Sequence, residues 1–291
     1  MTCPGTLVLT HQKSNEQLLE PVVKPTPFLK WAGGKGQLLE QMDPYFPEDF
    51  GRYYEPFLGG GAVFFHLSPR KAVLSDSNPE LIQVYQIVKN RPGELMASLD
   101  AHRTRSTEES YFYEVRGICP DKLSPASRAA RLVFLNKTCF NGLYRVNSKG
   151  EFNVPYGGYR HPTLYVGENL QLASSALQGA ALHVEDFRLA CKRAVKGDLV
   201  YLDPPYQPLS RTSAFTDYTR EGFWRRDQED LATIYRALDS RGCKVMLSNS
   251  STPWLRELYR EYHQVTLRAK RAINCKGTGR GAIDELRVMN Y

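Results

Sequence analysis

The segment "GDLVYLDPPY", residues 197–206, sets an apolar run of strand length directly against an acid, two prolines and a tyrosine. Two successive prolines remove two backbone donors, so the strand must stop there and present a carboxylate and an aromatic ring at its carboxyl end. Four further apolar runs have the same character: "YYEPFL" (53–58), "KAVLSD" (71–76), "AALHVED" (180–186) and "CKVMLSN" (243–249). Helical patterns alternate with them, "NPELIQVYQIVKN" after Asp76 and "DQEDLATIYRALDSRG" before the last run. Strand and helix in alternation predict a doubly wound α/β fold with a mainly parallel sheet. The closing "YHQVTLRAKRAIN" and "AIDELRVMNY", joined by the glycine-rich "CKGTGRG", predict a strand pair that completes it.

The 291 residues are 42% hydrophobic and 24% charged, enough for one large domain with an insert or for two modest ones. A net charge of +7 favours a polyanionic partner without requiring one. Cys3, Cys119, Cys139, Cys191, Cys243 and Cys275 form no CxxC pair and have no histidine at zinc-finger spacing, so no metal is expected and a reducing cytoplasm fits. No apolar run approaches the roughly 20 residues that span a bilayer, and the N-terminus lacks a signal-peptide pattern. The expectation is a cytoplasmic monomer with no membrane contact and no obligate protein partner. Residues 1–24 read as an N-terminal extension, set off by Pro21, Pro25 and Pro27.

About a hundred residues separate the second strand from the third, far more than one crossover helix needs, so a second unit is inserted there. It opens with helical patterns, "PGELMASLDAHRT" and "SPASRAARLVFLNKT", and continues as "CFNGLYRVNSKGEFNVPYGGYRHP", which predicts an exposed hairpin or long loop.

Ligands of open α/β sheets bind outside the carboxyl ends of the strands. Those ends carry Glu55, Asp76, Asp186, Asp203 and the pair Ser248 and Asn249. Any one of them can merely cap the next helix, but four carboxylates on successive strands favour a shared site. "EPFLGGGAVF" puts Gly59, Gly60 and Gly61 between the first strand and a helix, where a ligand can approach free N–H groups. Phe64 stands where a dinucleotide fingerprint has its last glycine, so a nicotinamide cofactor is disfavoured. Asp76 sits at the distance expected of a ribose-binding acid, which points to a nucleoside-containing cofactor. "KWAGGKGQ" is no P-loop, because Gly36 occupies the place of the magnesium-binding hydroxyl. Trp31 there is either packed in a tight turn or part of the site, and Lys35 can pair with a ligand carboxylate.

The four residues 203–206 arise together by chance in roughly one chain of this length in several hundred. A Pro-Pro turn can simply end a strand, but a chemical reading accounts for all four positions. An exocyclic amine is a poor nucleophile because its lone pair is delocalised into the ring. If Asp203 and the Pro204 carbonyl each accept one amine hydrogen, the nitrogen is driven toward a tetrahedral, nucleophilic form. Pro204 and Pro205 hold that carbonyl rigidly, and Tyr206 offers a face for an extruded base.

In the order "FLKWAGGK", "EPFLGGGAVF", "LSDSNPELI", "NGLYRVNSKGEFNVPYG", "DPPY" and "RAINCKGTGRGAIDEL", the chain from about residue 27 onward resembles the Dam-type DNA adenine methyltransferases, the D12 class with the alpha order of motifs. The resemblance implies a Rossmann-like methyltransferase sheet that uses S-adenosylmethionine to methylate adenine N6. It implies a catalytic domain of residues 25–95 and 170–291 and an inserted target-recognition domain, 96–169, made of helices and a β-hairpin. Trp31, Lys35, Asp76 and Asp203 stand at the family's cofactor positions, with Glu55, Phe57, Gly59 and Gly61 underlying the site. Asp186 and Phe187 stand, by a looser match, where the cofactor's adenine is recognised. Asp203, Pro204, Pro205 and Tyr206 are the catalytic set. Lys30, Phe140, Asn141, Leu143, Arg145 and Pro155 occupy DNA-contacting positions, with double-stranded DNA as partner and GATC as expected target.

The chemistry of those side chains suits the task. Arg145 can bridge a guanine's O6 and N7, Leu143 and Pro155 can touch a thymine methyl, and Phe140 can wedge where a base has flipped out. Phe140 alone could equally be hairpin core. Two other functions compete. An RNA adenine methyltransferase shares the amine chemistry but cannot use a hairpin in the narrow A-form major groove. A non-catalytic cofactor-holding protein would be expected to carry a damaged DPPY motif, and this one is intact.

Overall fold

A computed structural model describes residues 23–206, 223–270 and 282–291; most of the expected N-terminal extension and the "CKGTGRG" link lie outside the described residues. Seven strands form one sheet: β1 Tyr53–Glu55, β2 Ala72–Asp76, β3 Ala180–Val184, β4 Leu199–Leu202, β5 Lys244–Ser250, β6 His263–Lys270 and β7 Ala282–Met289. Their spatial order is β3-β2-β1-β4-β5-β7-β6. The first five pair in parallel, and β7 enters antiparallel between β5 and β6. The strand order reverses at β1, which pairs with β2 on one side and β4 on the other. A crevice opens at such a reversal.

The strands are shorter than their apolar runs for local reasons. β1 stops at Glu55 because Pro56 has no N–H to continue the ladder, and β4 stops just before Asp203 and its prolines. β3 ends before Asp186, whose side chain caps the next helix by accepting the Arg188 N–H. Along the buried strands alternate residues enter opposite cores: Tyr53, Leu199 and Tyr201 face one, Tyr54, Val200 and Leu202 the other. This explains why these strands read as continuously apolar, since helices cover both faces.

Helix Pro79–Asn90 begins where Asn78 accepts the N–H groups of Glu80 and Leu81, with Pro79 in the first turn, and it buries Leu81, Ile82, Val84, Tyr85, Ile87 and Val88. On the opposite face helix Arg225–Ser240 buries Leu231, Ala232, Tyr235 and Leu238. Between β2 and β3 also lie helices Pro92–Arg103, Glu109–Gly117, Pro125–Thr138 and Gly167–Leu177. Their apolar residues Leu95, Leu99, Phe112, Phe134 and Leu170 belong to the same core as Tyr53 and Leu74 of the sheet. The segment expected as an exposed hairpin or long loop folds back on itself, with two antiparallel bridges, Cys139 with Tyr156 and Val146 with Phe152, and backbone bonds from Asn153 to Arg145 and from Asn147 to Glu151. Among the described residues no helix is long and apolar enough to cross a membrane.

Candidate active site

The carboxyl ends of β1, β2 and β4 open into a cavity of about 580 Å3. Trp31, Lys35, Glu55, Phe57, Gly59, Gly61, Asp76, Asp186, Phe187, Asp203, Pro204, Pro205 and Tyr206 all line it, so every residue expected at the cofactor or at the chemistry shares one space. Ser248 and Asn249 are buried and do not line it. They work behind it: the Ser248 hydroxyl is 2.6 Å from that of Tyr201, and Asn249 donates to Gln228, which in turn donates to the Pro205 carbonyl.

At the DPPY turn, Lys35 is only 3% exposed and places its Nζ 2.8 Å from Asp203 Oδ2, while also donating to the Gly33 carbonyl at 2.6 Å. The same ammonium lies 4.8 Å from the centre of the Tyr206 ring. Tyr206 donates its hydroxyl to Glu285 Oε2 at 2.7 Å, which fixes the ring's tilt. Asp203 Oδ1, by contrast, is buried and has no hydrogen-bond partner among the described residues. Burial raises the Asp203 pKa above the ordinary carboxylate value, and Lys35 opposes that rise. Glu55, deeper on β1, is pushed well up by burial, and the Tyr53 hydroxyl donating to it at 2.9 Å only partly offsets this.

The other end of the cavity is built from a turn and an aromatic wall. Asp76 accepts the Gly59 N–H at 3.1 Å and the Asn78 N–H at 2.9 Å, leaving lone pairs on both oxygens for hydroxyl donors. Gly59 has a φ of +47°, and a Cβ there would come within 2.8 Å of the Trp31 ring, so glycine is required both by the turn and by the indole above it. Phe57 and Phe187 stack at 5.2 Å, with Phe223 closing the cluster. Asp186 sits at the rim, where Arg188 pairs with it at 3.0 Å and also binds Asp227 and Asp230. Asp186 therefore both caps a helix and lines the cavity.

The expected DNA-contacting residues lie outside this cavity, at the insert and beside it. Phe140 is 46% exposed, so it is not hairpin core. Asn141 takes a left-handed φ of 54°, and the Phe140 N–H bonds to the Pro155 carbonyl, bringing those two residues together. Arg145 is exposed and held by Asn153, donating from Nε to Oδ1 at 2.7 Å and from Nη2 to the carbonyl at 3.2 Å. Lys30 carries its ammonium 4.3 Å above the Tyr159 ring.

Sequence reasoning missed the residues that join these parts. Asn136, almost wholly buried, accepts the Lys30 N–H at 2.8 Å and donates to the carbonyls of Lys30 and Gly142. An amide inside the apolar "LVFLN" run was the available signal. Tyr144 stacks on Trp31 at 5.5 Å and also lines the cavity.

A family model described as D12 class N6 adenine-specific DNA methyltransferase matches residues 31–273. The type II methyltransferase M1.LlaDCHI of Lactococcus lactis subsp. cremoris is 45% identical over 271 residues, covering 91% of this chain and 95% of its own length. The type II methyltransferase M.MjaIII of Methanocaldococcus jannaschii is 42% identical, with 91% and 99% covered. A DNA adenine methylase of Salmonella typhi is 37% identical, with 89% and 93% covered. With the matched segment spanning both the strand-end cavity and the insert, this chain belongs to the D12 class of N6 adenine-specific DNA methyltransferases.

Proposed function

We propose that the protein transfers the methyl group of S-adenosylmethionine to N6 of an adenine flipped out of duplex DNA, with GATC as its target. The carrying observation is the Asp203 carboxylate: the residue lines the cavity, one oxygen is held by Lys35, and the other is buried with no partner among the described residues. An acceptor kept empty in this way is suited to an amine hydrogen.

The residues fit the cofactor. Asp76 has lone pairs for ribose hydroxyls, the Phe57 and Phe187 pair offers a flat apolar wall for an adenine, and Lys35 lies near enough for a carboxylate. When bound, the cofactor supplies an electrophilic methyl group. Asp203 Oδ1 accepts one N6 hydrogen and the Pro204 carbonyl the other, localising the nitrogen lone pair. Tyr206, its hydroxyl tied to Glu285, supports the face of the base.

For DNA the insert offers an exposed aromatic wedge, Phe140, beside an arginine already oriented by Asn153. Arg145 reads a guanine, Leu143 and Pro155 contact a thymine methyl, Asn141 adds polar contacts, and Lys30 approaches from the sheet side. The test is incubation with S-adenosylmethionine and plasmid, followed by mapping of methylated adenines. Methylation outside GATC refutes the target, and preference for RNA of the same sequence refutes the substrate. Asp203→Ala is expected to abolish turnover while DNA binding survives; near-parent turnover refutes its role.

A further inference from the structure

On β7 the side chain of Arg287 is 0% exposed, and its Nε, Nη1 and Nη2 have no hydrogen-bond partner among the described residues. A guanidinium carries five donors, and leaving it buried and unpaired is among the most unfavourable arrangements a protein core can hold. Its place in the sheet suggests why the fold retains it. On β7, Leu286 and Val288 face one core, so Glu285, Arg287 and Met289 face the other, the side of Tyr53 and Tyr201. Arg287 pairs in register with Ser248 of β5, whose hydroxyl meets that of Tyr201, two residues before Asp203. Two residues before Arg287, Glu285 holds the Tyr206 hydroxyl.

Around Asp203 the charged and titratable groups are therefore Lys35 in front, Tyr53 and Glu55 on β1, Tyr201 and Tyr206 on its own segment, and Glu285 and Arg287 on β7. Burial pushes Asp203 toward protonation most strongly and Lys35 opposes it most strongly; Glu285 adds to the push and Arg287, the smallest of these influences, to the opposition. Lys35 is already engaged by Asp203 Oδ2 and the Gly33 carbonyl. Arg287 has no such partner to neutralise it locally, and its charge is felt by Tyr201, Tyr206 and Asp203 alike.

We propose that Arg287 is a positioning residue for methyl transfer, a fixed cation with no hydrogen-bond partner among the described residues, whose field adds to that of Lys35 in keeping the Asp203 carboxylate ionised and so able to accept the amine hydrogen. The proposal rests on the reading of Asp203 given above. Its test is the pH profile of single-turnover methylation of a GATC duplex at saturating S-adenosylmethionine. In Arg287→Met the acid limb is expected to move to higher pH by about half a unit or more, roughly a threefold loss on that limb, with the alkaline plateau retained. Arg287→Lys should follow the parent's limb. The melting temperature of Arg287→Met should hold or rise, because an unsatisfied charge has gone.

A limb that coincides with the parent's overturns the proposal. So does an equal loss at every pH accompanied by a lower melting temperature, which marks a structural role. If Arg287→Met does not fold, Arg287→Gln is read by the same outcomes; failure of both neutral variants beside a folded lysine variant also assigns a structural role. The underlying reading fails separately. Should Asp203→Ala turn over normally, Asp203 is not the acceptor, whereas an inactive Asp203→Ala with an unmoved Arg287→Met limb removes Arg287 alone.

Discussion

Lys35→Met removes the cation in contact with Asp203, and its effect on stability should depend on pH with a definite sign. The pair is buried on the lysine side and 18% exposed on the aspartate side, with Nζ and Oδ2 2.8 Å apart. The Asp203 pKa already lies above its ordinary value because of burial, and Lys35 restrains it. Loss of an opposite charge at contact distance shifts a carboxyl by about 1–3 pH units, each worth about 1.4 kcal/mol. A carboxyl whose folded pKa exceeds its unfolded one binds more protons when folded, so stability falls as pH rises between the two values and then levels off. The variant should therefore lose about 2–5 kcal/mol relative to the parent at alkaline pH, about 1–4 of it electrostatic and about 1 from the lost bond to the Gly33 carbonyl. At pH below the unfolded carboxyl's pKa only about 1 kcal/mol should remain, that of the lost bond to the Gly33 carbonyl. Glu55, which Lys35 also restrains, adds in the same direction. Thermal or urea unfolding without cofactor, repeated across the pH range, measures the gap. A gap that is constant, or that narrows as pH rises, refutes the electrostatic account of this pair.

Two other substitutions probe the insert. Asn136→Ala removes three hydrogen bonds from a buried site and should cost about 2–4 kcal/mol in denaturant unfolding; a change within about 0.5 kcal/mol would show that the Lys30 and Gly142 backbones find other partners. Arg145→Ala should lose about 1–3 kcal/mol of discrimination at one base pair. Comparing methylation rates on duplexes singly substituted within GATC measures it, and unchanged specificity at every position removes the guanine contact.

How far the sequence could be read followed from where each signal resides. The five parallel strands and the cavity's carboxylates were legible because a buried strand, a proline stop and a strand-end acid are all local features, whereas the order of those strands across the sheet is not. DPPY belongs to this class, as does the glycine turn at 59–61. What stayed hidden was pairwise: nothing in "LVFLN" says that Asn136 will clasp Lys30, more than a hundred positions away, or that Tyr144 will stack on Trp31. Gln228 was invisible for the same reason, since its place in an exposed-looking helix start gives no hint that it bonds the Pro205 carbonyl. Arg287 did leave a mark, a charge within the apolar strand "LRVM". Only burial shows that the guanidinium is enclosed rather than extended to solvent.

Residues 30–35 join the insert to the strand-end cavity. The Lys30 backbone is clasped by Asn136 of the insert, and its side chain lies so close against Gly142 that a Cβ there would collide with it. One residue on, Trp31 stacks on Tyr144 of the insert while covering the Gly59 turn of the strand-end cavity. Four more residues bring Lys35 onto Asp203. The surface proposed to read DNA and the acceptor proposed to activate the amine are thus held by one short segment with buried anchors at both ends. Groups joined through shared partners do not contribute independently. Substitutions at Asn136, which lies outside the cavity, and at Tyr144, which lines it, should therefore alter turnover as well as binding, through Trp31 and Lys35, and their effects should fail to add to those of changes at Asp203.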